Sequence, residues 1–284
     1  MKTPILANHN HTSQIIAIVD NSQKSGQFNS MIAPLFILTL WLTACAPPEA
    51  PDALQELASF TFGHADDEDD AYLRAALNNL DAWLELDHEE DIEEGYQINL
   101  LDPDGVADLE GDNHTLSAEL IGAAVAHEST HTVDELARAL TIESWEEITV
   151  DQFEYYTKIW DYGEDCIATR DCLAAEATSD SEMVQLGISV VSTNRILYRW
   201  VEMDKGWALV HRSYLTQPPV VSSDLIKANS QYFIAVTLPR EVPMRVQATW
   251  IDTEILGVSV PKSIVVNTMR DQGDLIESWM DDNY

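Results

Sequence analysis

The sequence predicts an α+β fold in which an antiparallel sheet packs on a long C-terminal helix, preceded by a small acidic part that is mainly helical. Three observations predict it. From about Ile188 the chain alternates β-branched and aromatic residues in short segments: 188–191, 196–201, 207–215, 231–239 and 244–255. Turn-rich breaks such as Asp204-Lys205-Gly206 and Gln217-Pro218-Pro219 separate them, and such spacing indicates an antiparallel meander. After Pro261, a favourable first residue for a helix, Ile264, Val265, Met269, Ile276, Trp279 and Met280 share a helical face, which Gly273 would weaken or split. Upstream, Leu73, Leu77, Leu80 and Leu84 follow a dense acidic run at helical spacing.

In chain order, residues 1–30 are polar and patternless and read as an extension ahead of the true start at Met31. Met31 to Ala44 is an apolar run too short for a permanent span, which needs about 20 residues, but suited to a secretory h-region. It closes on Leu42-Thr43-Ala44-Cys45, and Pro-rich residues 45–52 read as a tether. These four residues resemble the bacterial lipoprotein lipobox. The resemblance implies cleavage before Cys45, a diacylglyceryl thioether on it, an acylated N-terminus as the membrane partner and export to the cell envelope. Ala46, where aspartate would signal inner-membrane retention, directs the expectation to the outer membrane.

The remaining 240 or so residues suffice for one sizeable core. With 49 acidic and 15 basic residues the net charge is −34, which disfavours nucleic-acid partners and anionic headgroups. Acidity of this kind also serves solubility. Hydrophobic residues at 45% and eight tryptophans argue against a disordered polyanion.

Residues 53–117 form the acidic N-terminal part. Asp66 to Asp70 lacks the register of a calcium loop and reads as a helix entrance, with Asp70 available as a cap. Tyr96, Ile98 and Leu100 read as a strand entering the turn Asp102-Pro103-Asp104-Gly105.

Residues 118–284 form the main domain. Leu120 to Ala126 fits either a buried strand or a helix start. His127-Glu128-Ser129-Thr130-His131 matches H-E-x-x-H, in which two histidines on one helical face bind zinc and the glutamate activates water. That chemistry needs an unbroken helix and a third ligand, for which Glu154 and Glu164 are candidates. The capping box Thr132-Val133-Asp134-Glu135 opposes it by starting a separate helix through Leu136 and Leu140. A second box, Thr149-Val150-Asp151-Gln152, predicts another helix over Phe153 to Trp160. Cys166 and Cys172 fit a disulfide in an oxidising compartment, worth about 2 kcal/mol. The weaker alternative is a metal site flanked by Asp165 and Asp171.

Two helices, several antiparallel strands and a long last helix, with Val258-Ser259-Val260-Pro261 leading into Lys262 to Asn267, resemble the START-like, or SRPBCC, helix-grip superfamily. The resemblance implies a curved sheet wrapped around the last helix, a cavity between them, and a hydrophobic small molecule or lipid as partner. Candidate lining residues are Trp200, Trp207, Tyr232, Phe233 and Trp250, each of which reads first as ordinary core, since buried aromatics are the norm. By strand alternation one of His211 and Arg212 faces inward, and an inward Arg212 calls for a carboxylate such as Glu202 or Asp252. No nucleophile elbow, phosphate loop or dinucleotide fingerprint occurs. The expectation is therefore a non-enzymatic protein that binds a hydrophobic ligand or a protein partner, without a cofactor. The alternatives are a zinc metallopeptidase using His127, Glu128 and His131, and a structural lipoprotein without a ligand.

Overall fold

The computed structural model describes residues 49–284 other than 87–91, 93, 112–115, 150–151, 164–165 and 186. The readings of residues 1–30, of the signal segment, of Cys45 and of Glu164 as a zinc ligand lie outside the described residues.

Helix α1 (Leu54–Gly63) is followed by α2 (Ala71–Leu84), where the four predicted leucines are all buried. The acidic run between them does more than solvate a helix start. Asp66 makes a two-pronged ion pair with Arg212 (2.9 and 2.6 Å), and Asp70 pairs with Arg74 one turn later (2.7 Å). Asp70 stands at the N-cap position without a capping bond, while Asp69 accepts from the Ala71 amide (3.0 Å).

Strand β1 (Tyr96–Gln97) pairs with β2 (Ile121–Glu128), so the ambiguous run at 120–126 is a strand. Helix α3 (Val133–Thr141) begins at the predicted capping box. The Thr132 hydroxyl accepts from the Glu135 amide (3.3 Å), and the Glu135 carboxylate accepts from the Thr132 amide (2.8 Å).

The expected helix over 153–160 is instead strand β3 (Phe153–Trp160). Thr149 opens no helix, because its hydroxyl donates back to the Trp145 carbonyl (2.8 Å). Its aromatic and β-branched residues suit a pleated surface, and they pair residue by residue with β4 (Ala174–Gln185), Tyr156 opposite Ser181 and Trp160 opposite Ala177. A register shift between Phe153 and Tyr155 brings Phe153, Tyr156 and Trp160 onto one face, opposite Met183, Ser181 and Ala177, so the aromatic spacing imitates a helix.

The meander continues through β5 (Ile188–Met203), which fuses two predicted segments, then β6 (Gly206–Leu215), β7 (Val220–Val221), β8 (Ile226–Leu238), β9 (Met244–Ile255) and β10 (Val258–Ser259). The sheet order is β1-β2-β9-β8-β6-β5-β4-β3, antiparallel throughout, with β7 beside β5 and β10 beside β9. The last helix, α4 (Lys262–Asn283), runs unbroken through Gly273. Fold class is therefore as expected: a curved, open antiparallel sheet with a long C-terminal helix. Cys166 and Cys172 form a disulfide.

Both faces of the sheet are covered. On one, Leu197, Val210, Tyr232, Ile234, Val246 and Trp250 pack against α1 and α2 in a continuous apolar core. Phe62 meets Tyr232 and Trp250 edge-on at 5.9 Å each. On the other face lies α4. This corrects the expectation for the adjacent pair on β6: His211 and Arg212 are both buried, at 8% and 5% exposure, because neither face is solvent. The carboxylate partner of Arg212 is Asp66, not Glu202 or Asp252.

Gly273 has a packing reason. A β-carbon there would lie 2.8 Å from Cε1 of His127, closer than real contacts permit, so the imidazole rests on the helix backbone. Alanine is the better helix former by roughly 1 kcal/mol, yet overpacking costs about 1–3 kcal/mol. Gly273→Ala is therefore expected to lower the urea midpoint; a raised midpoint would contradict the contact.

Candidate functional site

Residues paired across antiparallel strands share a face, so the register fixes what α4 looks down upon. One row runs Tyr198, His211, Ala235, Gln247, Val125; the next runs Trp200, Leu209, Thr237, Arg245, His127. At one end α4 seats Val265, Val266 and Met269 on Ala123 and Val125. Toward its C-terminus Ile276 and Met280 pack with Tyr198, Trp200 and Leu209. Beside these contacts the sheet surface carries Ser179, Ser181, Ser192 and Ser213, side chains too short to fill the space, and a cavity of about 210 Å³ remains. Phe153, Tyr156, Met183, Phe233 and Ile276 supply its apolar wall, and His211, Gln231, Arg245, Gln247 and Gln272 supply polar groups.

The polar floor is unusual in what it lacks. Arg245 is 2% exposed, and its Nε and Nη1 have no hydrogen-bond partner among the described residues. Nε2 of Gln247 and both ring nitrogens of His211 are likewise unpartnered. The His211 ring is stacked on Tyr198 (centroids 4.6 Å apart) and lies 5.3 Å from the Phe233 ring. Burial, reinforced by the charges of Arg245 and Lys158, holds His211 well below the usual histidine range, so the ring is neutral at pH 7. Burial also draws the Arg245 guanidinium down to about 10, which leaves it charged at pH 7.

Two neighbours complete the setting. The Tyr198 hydroxyl donates to the Leu140 carbonyl (2.7 Å), and burial raises its pKa well above the ordinary value. Lys158 donates to the carbonyls of Leu140 (3.3 Å) and Ile142 (2.8 Å) at the C-terminal end of α3, where a cation satisfies orphan carbonyls. Burial draws its ammonium down to about 7.

The candidate residues are distributed as follows. Phe233 lines the cavity. Trp200 lies on the helix-facing side, but within the core beside Leu209, and its indole donates to the Ile167 carbonyl (2.9 Å). Trp207 packs against the same cluster, with Arg170 over its ring at 5.5 Å. Tyr232 and Trp250 point to the opposite face, into the core beneath α1 and α2.

The H-E-x-x-H residues do not share a helix. His127 sits in β2 against Gly273, Glu128 is exposed at the end of that strand, and His131 follows in the turn before α3. There His131 bonds Asp281 (3.1 Å). Glu154 is exposed on β3. The histidine-bearing helix required for zinc hydrolysis is thus replaced by a strand and a turn. Among the described residues, no group of three or more His, Cys, Asp or Glu side chains is placed to hold a metal.

Arg245 and Gln247 were not picked out in the sequence, and His211 only as one of an adjacent pair of which one faces inward. In Met244 to Trp250 the polar residues Arg245, Gln247 and Thr249 alternate with Val246, Ala248 and Trp250, the pattern of a strand with one wet face. A helix covers that face instead. The usable signal is the combination of such a strand with a long amphipathic helix downstream.

No family model and no curated protein matches the sequence. Among solved structures, the chain is similar to a START superfamily protein from Mycobacterium smegmatis, at 9% identity and a TM-score of 0.39, covering 57% of this chain and 99% of that one. It is also similar to a STAR-related lipid transfer protein from Xanthomonas axonopodis, at 9% identity and a TM-score of 0.36, covering 58% and 96%. For human STARD10 the values are 12%, 0.34, 65% and 81%.

Proposed function

We propose that the protein is an exported, lipid-anchored binding protein that holds a small, largely apolar molecule between its sheet and its last helix, without catalysing a reaction on it. The observation that carries this reading is the cavity of about 210 Å³ on the helix-covered face, held open by four serines and walled by Phe233, Tyr156 and Ile276. A sheet face destined only for structure would be filled by larger side chains, as its opposite face is. Anchoring rests on Cys45 and the lipobox resemblance, and the outer membrane is the proposed location.

Native mass spectrometry of the protein extracted from its own host's membranes tests both halves. The expected spectrum shows a chain beginning at acylated Cys45 and a non-covalent small molecule released on activation. An unacylated mass that retains the signal segment 31–44 contradicts the anchor. A chain that carries no companion molecule favours the structural lipoprotein.

A further inference from the structure

Resting on that reading of the cavity, we propose that its ligand is a small amphipathic carboxylate, whose head lies against Arg245 and whose apolar body lies against Phe233, Tyr198 and Ile276. Two buried arginines of the same chain set the contrast. Arg212 is buried against the N-terminal helices and has its carboxylate, Asp66. Arg245 is buried more deeply and forms no ion pair with any described residue, in a chain with 49 acidic side chains to choose from. An unpaired buried charge is strongly unfavourable, and a bound anion would relieve it. Glu277 on α4 acts on Arg245 electrostatically but makes no ion pair; its Oε2 accepts from the Thr130 amide (3.3 Å).

The neighbouring groups ask for the same head. Nε2 of Gln247 and the His211 ring have no protein partner and line the cavity beside the guanidinium. A carboxylate, which only accepts hydrogen bonds, matches this donor-rich floor. Charge sets the valence: among the described lining residues Arg245 is the only arginine or lysine, and His211 is neutral at pH 7. One positive charge balances a monoanion, whereas a phosphate dianion would keep an uncompensated charge in a low-dielectric site. Size sets the body. A volume of about 210 Å³ falls below the roughly 300–1,000 Å³ of drug-sized pockets. A medium-chain or single-ring acid fits; a two-tailed phospholipid does not.

The test is calorimetric titration at pH 7 of the host-purified protein, stripped of bound molecules, with octanoate, octan-1-ol and octyl phosphate. The expected result is octanoate bound at least tenfold tighter than octanol, and octyl phosphate no tighter than octanoate. Arg245→Met should reduce the preference for octanoate over octanol to less than twofold while leaving octanol affinity unchanged, and Arg245→Lys should retain part of it. If Arg245→Met fails to fold, Gln247→Met replaces it, with an expected loss of at least threefold for octanoate alone. Equal binding of octanoate and octanol by the wild type, or a preference that survives the variant, overturns the carboxylate assignment and leaves the cavity reading standing. Binding of none of the three probes overturns both.

Discussion

Replacing Trp250 with alanine is expected to lower the free energy of unfolding by about 3–5 kcal/mol, the largest loss from any single substitution considered. The indole is fully buried, meets Phe62 of α1 edge-on, and donates from Nε1 to the Asn99 carbonyl (2.8 Å). Its ring lies so close over Gly122 that a β-carbon there would come within 2.8 Å, so the strand is shaped around it. Truncation removes the apolar area and leaves a void between sheet and helices that a stiff β-strand cannot close. Urea unfolding followed by far-ultraviolet circular dichroism reads the effect. A loss below about 1 kcal/mol would mean that α1 and α2 do not share a core with the sheet.

Acidification produces the second largest effect, and its sign follows from His127. Burial first, and the Arg245 charge second, hold this histidine at about 3 in the folded protein, against 6.5 in an unfolded chain. Between those values the unfolded state binds a proton that the folded state refuses. Stability is therefore fully present above pH 6.5 and is lost as the pH falls toward 3, by about 1.4 kcal/mol per pH unit for this one group. His211 is displaced in the same direction. Relief of surface repulsion among the carboxylates acts oppositely but is common to wild type and variant. The informative quantity is thus a difference: between pH 6.5 and 4.5 the wild type should lose about 2–3 kcal/mol more than His127→Gln. Equal losses would contradict the burial of a neutral imidazole beneath α4.

Much of the architecture was legible because its elements carried undiluted periodic signals. The leucines of α2 and the capping box at Thr132 formed as read, β6 and β9 formed as strands but with both faces buried, and α4 formed with Val265, Met269, Ile276 and Met280 inward while Ile264 is exposed. Failures cluster around the cavity. Strand β4, Ala174–Gln185, presents Ala175, Ala177, Ser179, Ser181 and Met183 to the helix side, and its opposite side is also largely polar. A strand whose buried face is small and polar loses the alternation by which strands are recognised. Strand β3 was misread because Phe153, Tyr156 and Trp160 fall at helical spacing.

The candidate site was less legible for the same reason. Aromatic residues were the natural choice for a cavity wall, yet Tyr232 and Trp250 serve the solid core on the other face. The space is defined by what is missing at the serines and by polar groups that sequence alone would place in water. Only the strand register, which no local pattern specifies, brings Arg245, Gln247 and His211 together beneath one helix.

A small molecule is proposed to occupy the space between the sheet and α4. Amide and side-chain chemical shifts recorded while octanoate is titrated into isotope-labelled protein test it most directly. Saturable changes are expected at His211, Phe233, Gln247 and Ile276, with α1 and α2 unmoved. Changes centred on α1 and α2, or none at the four cavity residues, would contradict it.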